Sequence, residues 1–310
     1  SLTYTELEEF ISGIGEAKVR AGQIFSWLHR GVCSFDEMTD ISKKTRIKLS
    51  EKSYISVLET EKKLVSKIDG TVKYLFRLSD GSLIESVVMR YKHGLTICIS
   101  SQVGCRMGCR FCASTLRGLT RSLTPGEMLG QIIFASRDLG ERIGNVVMMG
   151  IGEPLDNYEN VVKFLNIVND ERGICIGYRH ISLSTCGVVP GIYKLAEENL
   201  PITLCISLHA PNDETRDKIM PVNHAYNISE LLDACKHYQG ITGRRITFEY
   251  SLISGVNDSV HDADELAEKL RGIMCHVNLI PVNKVEEREY TKGSKKSIYE
   301  FCERLEADGI

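Results

Sequence analysis

The sequence predicts an α/β protein built on a parallel sheet, either an open doubly wound sheet or a partial barrel, with a helical region and a small antiparallel meander ahead of it. Three observations lead there. After Gly94, six apolar runs alternate with helix-period segments, the pattern of successive βα units. Residues 54–91 change to short runs interrupted by Asp69-Gly70 and Asp80-Gly81, dipeptides that favour tight hairpin turns. The first fifty residues carry apolar side chains at helical spacing.

In chain order, Leu7, Phe10 and Ile11 share one helical face, and Ile24, Phe25 and Leu28 another. The meander ends in Ser82–Arg90. Strands are then expected at Leu95–Ser100, Asn145–Met149, His180–Ser184, Ile202–Leu208, Arg245–Ile253 and Met274–Ile280. Helices are expected at Pro125–Leu139, Asn157–Asn169, Ile228–Tyr238, Asp262–Arg271 and Lys295–Glu306. The start Thr124-Pro125-Gly126-Glu127 supplies an N-cap, a proline at the first helical position and a glutamate at the third. The chain thus divides into a helical accessory region over 1–52, an antiparallel β extension over 53–93 and an α/β body over 94–310. Four of the six strands run out into polar or glycine residues: Gly150-Ile151-Gly152-Glu153-Pro154, Ser184-Thr185, Ser207-Leu208-His209 and Pro281-Val282-Asn283. In parallel α/β folds the carboxyl ends of the strands carry the site. The plain alternative is a set of ordinary βα turns.

Composition excludes several classes. With 43% hydrophobic and 25% charged residues, the 310-residue chain is neither collagen-like nor wholly disordered. No apolar run reaches the ~18 residues of a membrane span, and the first thirty residues lack a signal-peptide pattern. The expectation is a cytoplasmic protein, monomeric and without a membrane partner. Because the chain opens at Ser1 and not Met, a processed or trimmed chain is expected. The net charge of −3 draws no phosphate to the molecule as a whole. Between Tyr91 and Pro125, however, Lys92, Arg106, Arg110, Arg117 and Arg121 stand with no acid among them. A weaker patch covers Gly15 to Lys52, with eight basic residues against five acidic ones. Phosphate binding and a solvated basic face are both consistent with such charge.

There are eleven cysteines and no export signal, so core residues, metal ligands or catalysts are expected in place of a disulfide framework. Cys33, Cys175, Cys186, Cys205, Cys235, Cys275 and Cys302 are scattered and are expected to be mostly small buried hydrophobes. Cys98, Cys105, Cys109 and Cys112 lie within fifteen residues of one another. In Cys105-Arg106-Met107-Gly108-Cys109-Arg110-Phe111-Cys112 the spacing C-x3-C-x2-C offers three thiolates on one loop, with no second CxxC knuckle of the kind a zinc ribbon requires. Three thiolates can hold three irons of a [4Fe–4S] cluster and leave the fourth open to a small molecule. A structural zinc or an electron-transfer cluster is the competing reading.

The cysteine loop, set after the first strand of a six-strand repeat, resembles the radical S-adenosylmethionine superfamily, which implies a partial (βα)6 barrel. Gly150-Ile151-Gly152-Glu153-Pro154 resembles that superfamily's GGEP-type strand end, which receives the methionine ammonium. Five further stretches are similar to the adenine C2 RNA methyltransferases: Thr96–Cys105, Leu183–Pro190, Ile206–Asp213, Asn278–Asn283 and Arg20–Leu28. The resemblance covers nearly the whole chain. It implies a [4Fe–4S] cluster on Cys105, Cys109 and Cys112, and an S-adenosylmethionine site lined by Gly152, Glu153, Ser184, Ser207, Leu208, His209 and Asn283. The implied substrates are 23S rRNA, at adenine 2503 in the conventional numbering, and tRNA, at adenine 37. The implied reductant is an external flavodoxin-like or ferredoxin-like electron donor.

In this family a cysteine near the carboxyl terminus is first methylated, and a carbon radical formed on that methyl group adds to adenine C2. A second cysteine then resolves the covalent protein–RNA adduct. The resemblance puts Cys98 in that resolving position and Glu85, thirteen residues before it, where the family has a carboxylate that removes the C2 proton. A buried strand thiol and a solvated strand carboxylate are the corresponding structural alternatives, and a packing histidine is that for His209. The family's methyl-carrying cysteine lies in an AACGQ-type segment, whereas this chain stops at Gly309-Ile310, so the chain as written is expected to bind cluster and cofactor without completing a turnover. The C8-adenine rRNA methyltransferases that confer antibiotic resistance are the alternative within the class, and a non-catalytic iron–sulfur RNA-binding protein is the alternative outside it.

Overall fold

A computed structural model describes all residues, Ser1–Ile310. In chain order the elements are α1 (Tyr4–Gly13), α2 (Val19–His29), α3 (Lys43–Lys52), β1 (Glu59–Val65), β2 (Val72–Arg77), β3 (Leu83–Tyr91), β4 (Gly94–Cys98), the short β5 (Gln102–Gly104) and β6 (Leu119–Ser122), α4 (Pro125–Leu139), β7 (Ile143–Met148), α5 (Tyr158–Asn169), β8 (Ile181–Thr185), α6 (Val189–Glu198), β9 (Thr203–Ser207), α7 (Asp213–Ile219), α8 (Ile228–Thr242), β10 (Ile246–Leu252), α9 (Val260–Leu270), β11 (Cys275–Pro281) and α10 (Lys295–Ala307). The chain forms two compact units. One comprises Ser1–Val103, Arg121–Ile151 and Asn157–Ile181, and the other Gly104–Thr120, Gly152–Asp156 and Ser182–Ile310. All six strands expected after Gly94 are present. Helices α6 and α7 were not singled out from the sequence.

In the first unit β1, β2, β3 and β4 pair antiparallel in sequence order, and β4 then pairs parallel with β7. The period-two pattern explains the meander: Val72, Tyr74 and Phe76 of β2 and Ile84 and Val88 of β3 turn to the core, while their neighbours turn outward. Strand β1 is exposed along its length, and Lys62, Lys63 and a register irregularity at Thr60/Lys62 blunt its free edge. Helix α4 begins with the expected capping box, Thr124 Oγ1 accepting from Glu127 N while the Glu127 carboxylate accepts from Thr124 N.

One buried polar side chain ties α4 to the sheet. Gln131 Oε1 accepts from Ser100 N at 2.8 Å and from Ser86 Oγ at 2.7 Å, and Nε2 donates to Ser100 O at 2.9 Å. Ser100 lies just beyond β4, where a parallel strand has run out of ladder partners. Elsewhere in this unit the His29 ring stacks on Phe25 at 4.2 Å and its Nδ1 accepts from Ile174 N. Burial lowers its pKa from 6.5 to about 4, so the folded chain keeps this ring neutral.

In the second unit β8, β9, β10 and β11 are parallel neighbours in that order, so their carboxyl ends point the same way. Helices α8 and α9 open with capping boxes at Asn227/Glu230 and Ser259/Asp262. The cysteine expectation needs correcting here. Of the seven scattered cysteines only Cys186, Cys205 and Cys235 are buried; Cys275 and Cys302 are half-buried, and Cys33 and Cys175 are exposed. Cys33 follows the end of α2, and Cys175 sits in the connection after α5 with φ +53, so neither belongs to a core-facing element.

Two predictions follow from these contacts. Gln131→Leu keeps the volume but strands Ser100 N and O, and denaturant unfolding should show a loss of about 2 kcal/mol. For His29, acid protonates the unfolded ring while the folded ring resists, so its contribution is present above pH 6.5 and is lost as pH falls towards 4. Unfolding free energy measured between pH 7 and 4 should therefore decline less steeply in His29→Gln than in wild type, by roughly 3 kcal/mol over the interval.

Candidate cofactor site

The cysteine loop is shaped by glycine. Gly104 has φ +76, and a Cβ there would lie 2.0 Å from the Gly118 carbonyl oxygen, so only glycine allows the close approach in which Cys105 N donates to Gly118 O at 2.9 Å. Thr115 Oγ1 donates to both Cys109 O and Cys112 O at 3.0 Å, and Arg110 N donates to Ile219 O at 2.8 Å. Cys105 and Cys109 are buried and Cys112 half-buried. Burial, opposed by a hydrogen bond with the Met107 backbone and aided by the charges of Glu153, Cys112 and Asp156, pushes Cys105 up to about 11. Burial, then the charges of Cys112, Cys105 and Glu153, pushes Cys109 up to about 12. These thiols repel one another's charge and call for a cationic partner to become thiolates.

The strand ends are equally organised. Glu153 is fully buried; its Oε1 accepts from Leu155 N at 2.9 Å and its Oε2 from Cys186 N at 2.8 Å. Burial raises its pKa, and the two N–H donors oppose that shift. The carboxylate thus joins the Gly152–Pro154 turn to the end of β8. Gly152 itself has φ +111. Ser184 and Ser207 meet Oγ to Oγ at 3.4 Å across β8 and β9. Leu208 N and His209 N both reach Glu249 O, at 3.1 and 3.3 Å.

His209 is buried with φ +55, its Nδ1 accepts from Ser251 N at 2.9 Å, and the edge of its ring meets Phe111 of the cysteine loop at 5.0 Å. Burial, aided by the charge of Arg216, lowers its pKa to about 3. The ring is therefore neutral, with Nδ1 an acceptor and the proton on Nε2. Asn283 is exposed, next to Val282, which packs in the same cluster as Cys109 and Cys186. Cys105, Cys109, Cys112, Gly152, Glu153, Ser184, Ser207, Leu208, His209 and Asn283 thus all belong to one unit.

Two further groups were not found from the sequence. Arg216 of α7 is fully buried, and Glu249 of β10 is buried and accepts from Asn278 Nδ2 at 2.8 Å. The only sequence signal was a carboxylate, Glu249, within a strand of mostly apolar residues; Asp213-Glu214-Thr215-Arg216-Asp217-Lys218 reads as a solvated helix.

Glu85 and Cys98 lie in the other unit. Cys98 pairs directly with Val87, so Glu85, two residues along β3, shares its face of the sheet. The Glu85 carboxylate is paired with Lys73 Nζ at 2.9 Å and remains half-exposed. Burial pushes the Cys98 thiol up to about 11, against a hydrogen bond with the Met149 backbone.

The basic loop is less charged than its composition implied. Arg121 is held between Asp80, at 2.6 Å, and both oxygens of Glu127, at 2.8 and 2.9 Å, and Arg106 is paired with Asp156. Lys92, Arg110 and Arg117 are exposed and in no ion pair, so three cations remain where the sequence suggested five.

Comparison with known proteins agrees with this arrangement. Residues 99–270 match the family profile described as the Radical SAM superfamily, and residues 1–55 match the Ribosomal RNA large subunit methyltransferase N-terminal domain. A protein of Alkaliphilus oremlandii named "Probable dual-specificity RNA methyltransferase RlmN" is 58% identical over all of this chain and 90% of its own length. The chain belongs to the radical SAM RNA methyltransferases. A protein of the same name from Clostridioides difficile is 55% identical over 100% of this chain and 90% of its own. The crystal structure of a radical SAM methyltransferase from Sphaerobacter thermophilus superposes with a TM-score of 0.95 at 45% identity, covering 100% of this chain and 92% of that one.

The donor set of this radical SAM methyltransferase is three cysteine thiols on one loop, Cys105, Cys109 and Cys112, and the superfamily implies a [4Fe–4S] cluster. Three spaced thiols on one loop can each take a separate iron. Gly104→Ala would drive a methyl into the Gly118 carbonyl and break the loop's closure. After anaerobic reconstitution, iron bound per chain should fall roughly tenfold in this variant.

Proposed function

We propose that this chain is a dual-specificity adenine C2 methyltransferase, acting on adenine 2503 of 23S rRNA and adenine 37 of tRNA through a methyl-cysteine. The observation that carries the reading is the cysteine loop bonded to the same structural unit as the polar ends of β8 and β9. Adenine C2 offers no lone pair to a methyl sulfonium, and its hydrogen is not acidic enough to be removed first, so polar methyl transfer of the kind that serves ring nitrogens fails. A bound [4Fe–4S] cluster would supply the electron that cleaves S-adenosylmethionine and opens a radical route.

The chain's own residues then have distinct tasks. Cys105, Cys109 and Cys112 would hold the cluster. Gly152 and Glu153 shape the turn that receives the methionine end of the cofactor, with Glu153 bracing Cys186 N and Leu155 N. Ser184, Ser207, Leu208, His209 and Asn283 line the remainder, and His209, being neutral, offers recognition without adding a charge. Cys98 and Glu85, on one face of β3 and β4, serve as resolving thiol and C2 proton acceptor. Cys98 rests as a thiol and must lose its proton as it attacks sulfur. The amino-terminal helices, with Lys92, Arg110 and Arg117, meet the RNA phosphates, and a flavodoxin-like or ferredoxin-like protein supplies electrons.

Anaerobic reconstitution should yield about four irons and four acid-labile sulfides per chain. A single zinc without sulfide would overturn the cluster assignment. In a chain carrying the methyl-bearing cysteine, mass spectrometry of nucleosides from treated rRNA and tRNA should show 2-methyladenosine; the 8-methyl isomer would favour the C8 enzymes. Under the same conditions Cys98→Ala should accumulate a denaturant-resistant protein–RNA adduct that nuclease releases, and normal multiple turnover would remove Cys98 from the mechanism.

RNA affinity should fall as salt rises, and Arg117→Glu should weaken binding roughly fivefold in filter or anisotropy assays. Arg121→Ala should instead lower stability, because Arg121 is held by Asp80 and Glu127.

A further inference from the structure

We propose that Arg216 is a positioning residue whose guanidinium, from inside α7, locks the cysteine loop to the ends of β8 and β9 and gives the cluster a buried positive charge. The inference rests on the cofactor reading above.

The hydrogen bonds of the guanidinium carry the argument. Nε donates to Leu208 O at 3.1 Å, one terminal nitrogen donates to Cys186 O at 2.7 Å and Ser207 O at 3.3 Å, and the other donates to Asn223 Oδ1 at 2.9 Å. Three of those four acceptors are backbone carbonyls at the ends of β8 and β9, the segments that carry Ser184, Ser207, Leu208 and His209. One turn along the same helix, Ile219 O accepts from Arg110 N, inside the cysteine loop. Ile219 and Met220 also pack with Cys109 and Cys186 in one apolar cluster. A seven-residue helix therefore touches both halves of the cofactor site, and its central arginine is the rigid link. Gly187 is part of the fit: a Cβ there would lie 3.2 Å from the Arg216 guanidinium and 3.1 Å from Leu231.

The charge is the second half of the argument. A fully buried arginine normally sits against a carboxylate, because an isolated buried charge is costly. All the hydrogen bonds of Arg216 go to neutral acceptors. Its side-chain acceptor Asn223 in turn donates from Nδ2 to Asp213 at 3.0 Å and Asp217 at 2.7 Å, and Arg216 itself is in no ion pair. Cys186, whose carbonyl the guanidinium holds, packs with Cys109 in one apolar cluster, so the charge stands beside the cysteine loop. A thiolate-held cluster is the anion that would balance such a cation, and a nearby positive charge favours the reduced, more negative form of the cluster.

The test uses the reconstituted protein with Arg216→Lys and Arg216→Gln, reading S-adenosylmethionine affinity for the oxidised cluster by equilibrium dialysis and the cluster's midpoint potential by EPR-monitored titration. Lysine keeps the charge but, as a point donor, cannot bridge three carbonyls. Its affinity should fall about tenfold with the potential unchanged. Glutamine removes the charge as well, and should lower both affinity and potential. Wild-type affinity in Arg216→Lys overturns the positioning role, including when Arg216→Gln fails to take up a cluster. A potential shifted equally in both variants overturns the charge role. A wild-type protein that takes up no iron and sulfide overturns the functional reading and this inference with it, whereas a loaded wild type with insensitive variants overturns the inference alone.

Discussion

Where a parallel strand ends, its last N–H and C=O groups lose their ladder partners, and in a buried rim each must find another. Much of this protein's architecture answers that constraint with side chains. Gln131 closes the end of β4 at Ser100. Asn157 Nδ2 donates to Ser101 O and Leu123 O, at 2.9 and 2.8 Å. Asn257, fully buried, donates to His209 O and Ser251 O and accepts from Ile253 N. Glu153 and Arg216 do the same work at β8 and β9 with charged groups. Each of these side chains reaches two or more segments, so in each unit the strand ends are cross-tied through side chains as well as through the ladder.

The electrostatic poise of the site follows from burial. Glu153 is held as an acceptor of two N–H groups, His209 is kept neutral, and the Cys105 and Cys109 thiols are pushed up by burial.

Charge on the surface obeys a different rule. Arg121 and Arg106, prominent in the basic run, are consumed by Glu127 six residues on and by Asp80 and Asp156 from other parts of the chain. Lys92, Arg110 and Arg117 stay solvated and available to phosphate. A basic stretch read along the chain thus overstates the potential that a partner meets, since ion pairing is decided by neighbours in space.

The local features were legible in the sequence because their causes are local. Hairpins at Asp69-Gly70 and Asp80-Gly81, the capping box at Thr124, the alternation of β2 and the spacing of Cys105, Cys109 and Cys112 each depend on residues within a few positions of one another. Family resemblance extended that legibility to Glu153, Ser207 and His209 as positions, yet not to what their side chains touch. That Glu153 braces Cys186, that Arg216 turns inward from a helix that looks solvated, that Arg121 is neutralised and that Cys33 and Cys175 face water were decided only when distant segments packed. A side chain's burial and partners are properties of what lies across from it, and across a fold those neighbours are separated by tens of residues of sequence.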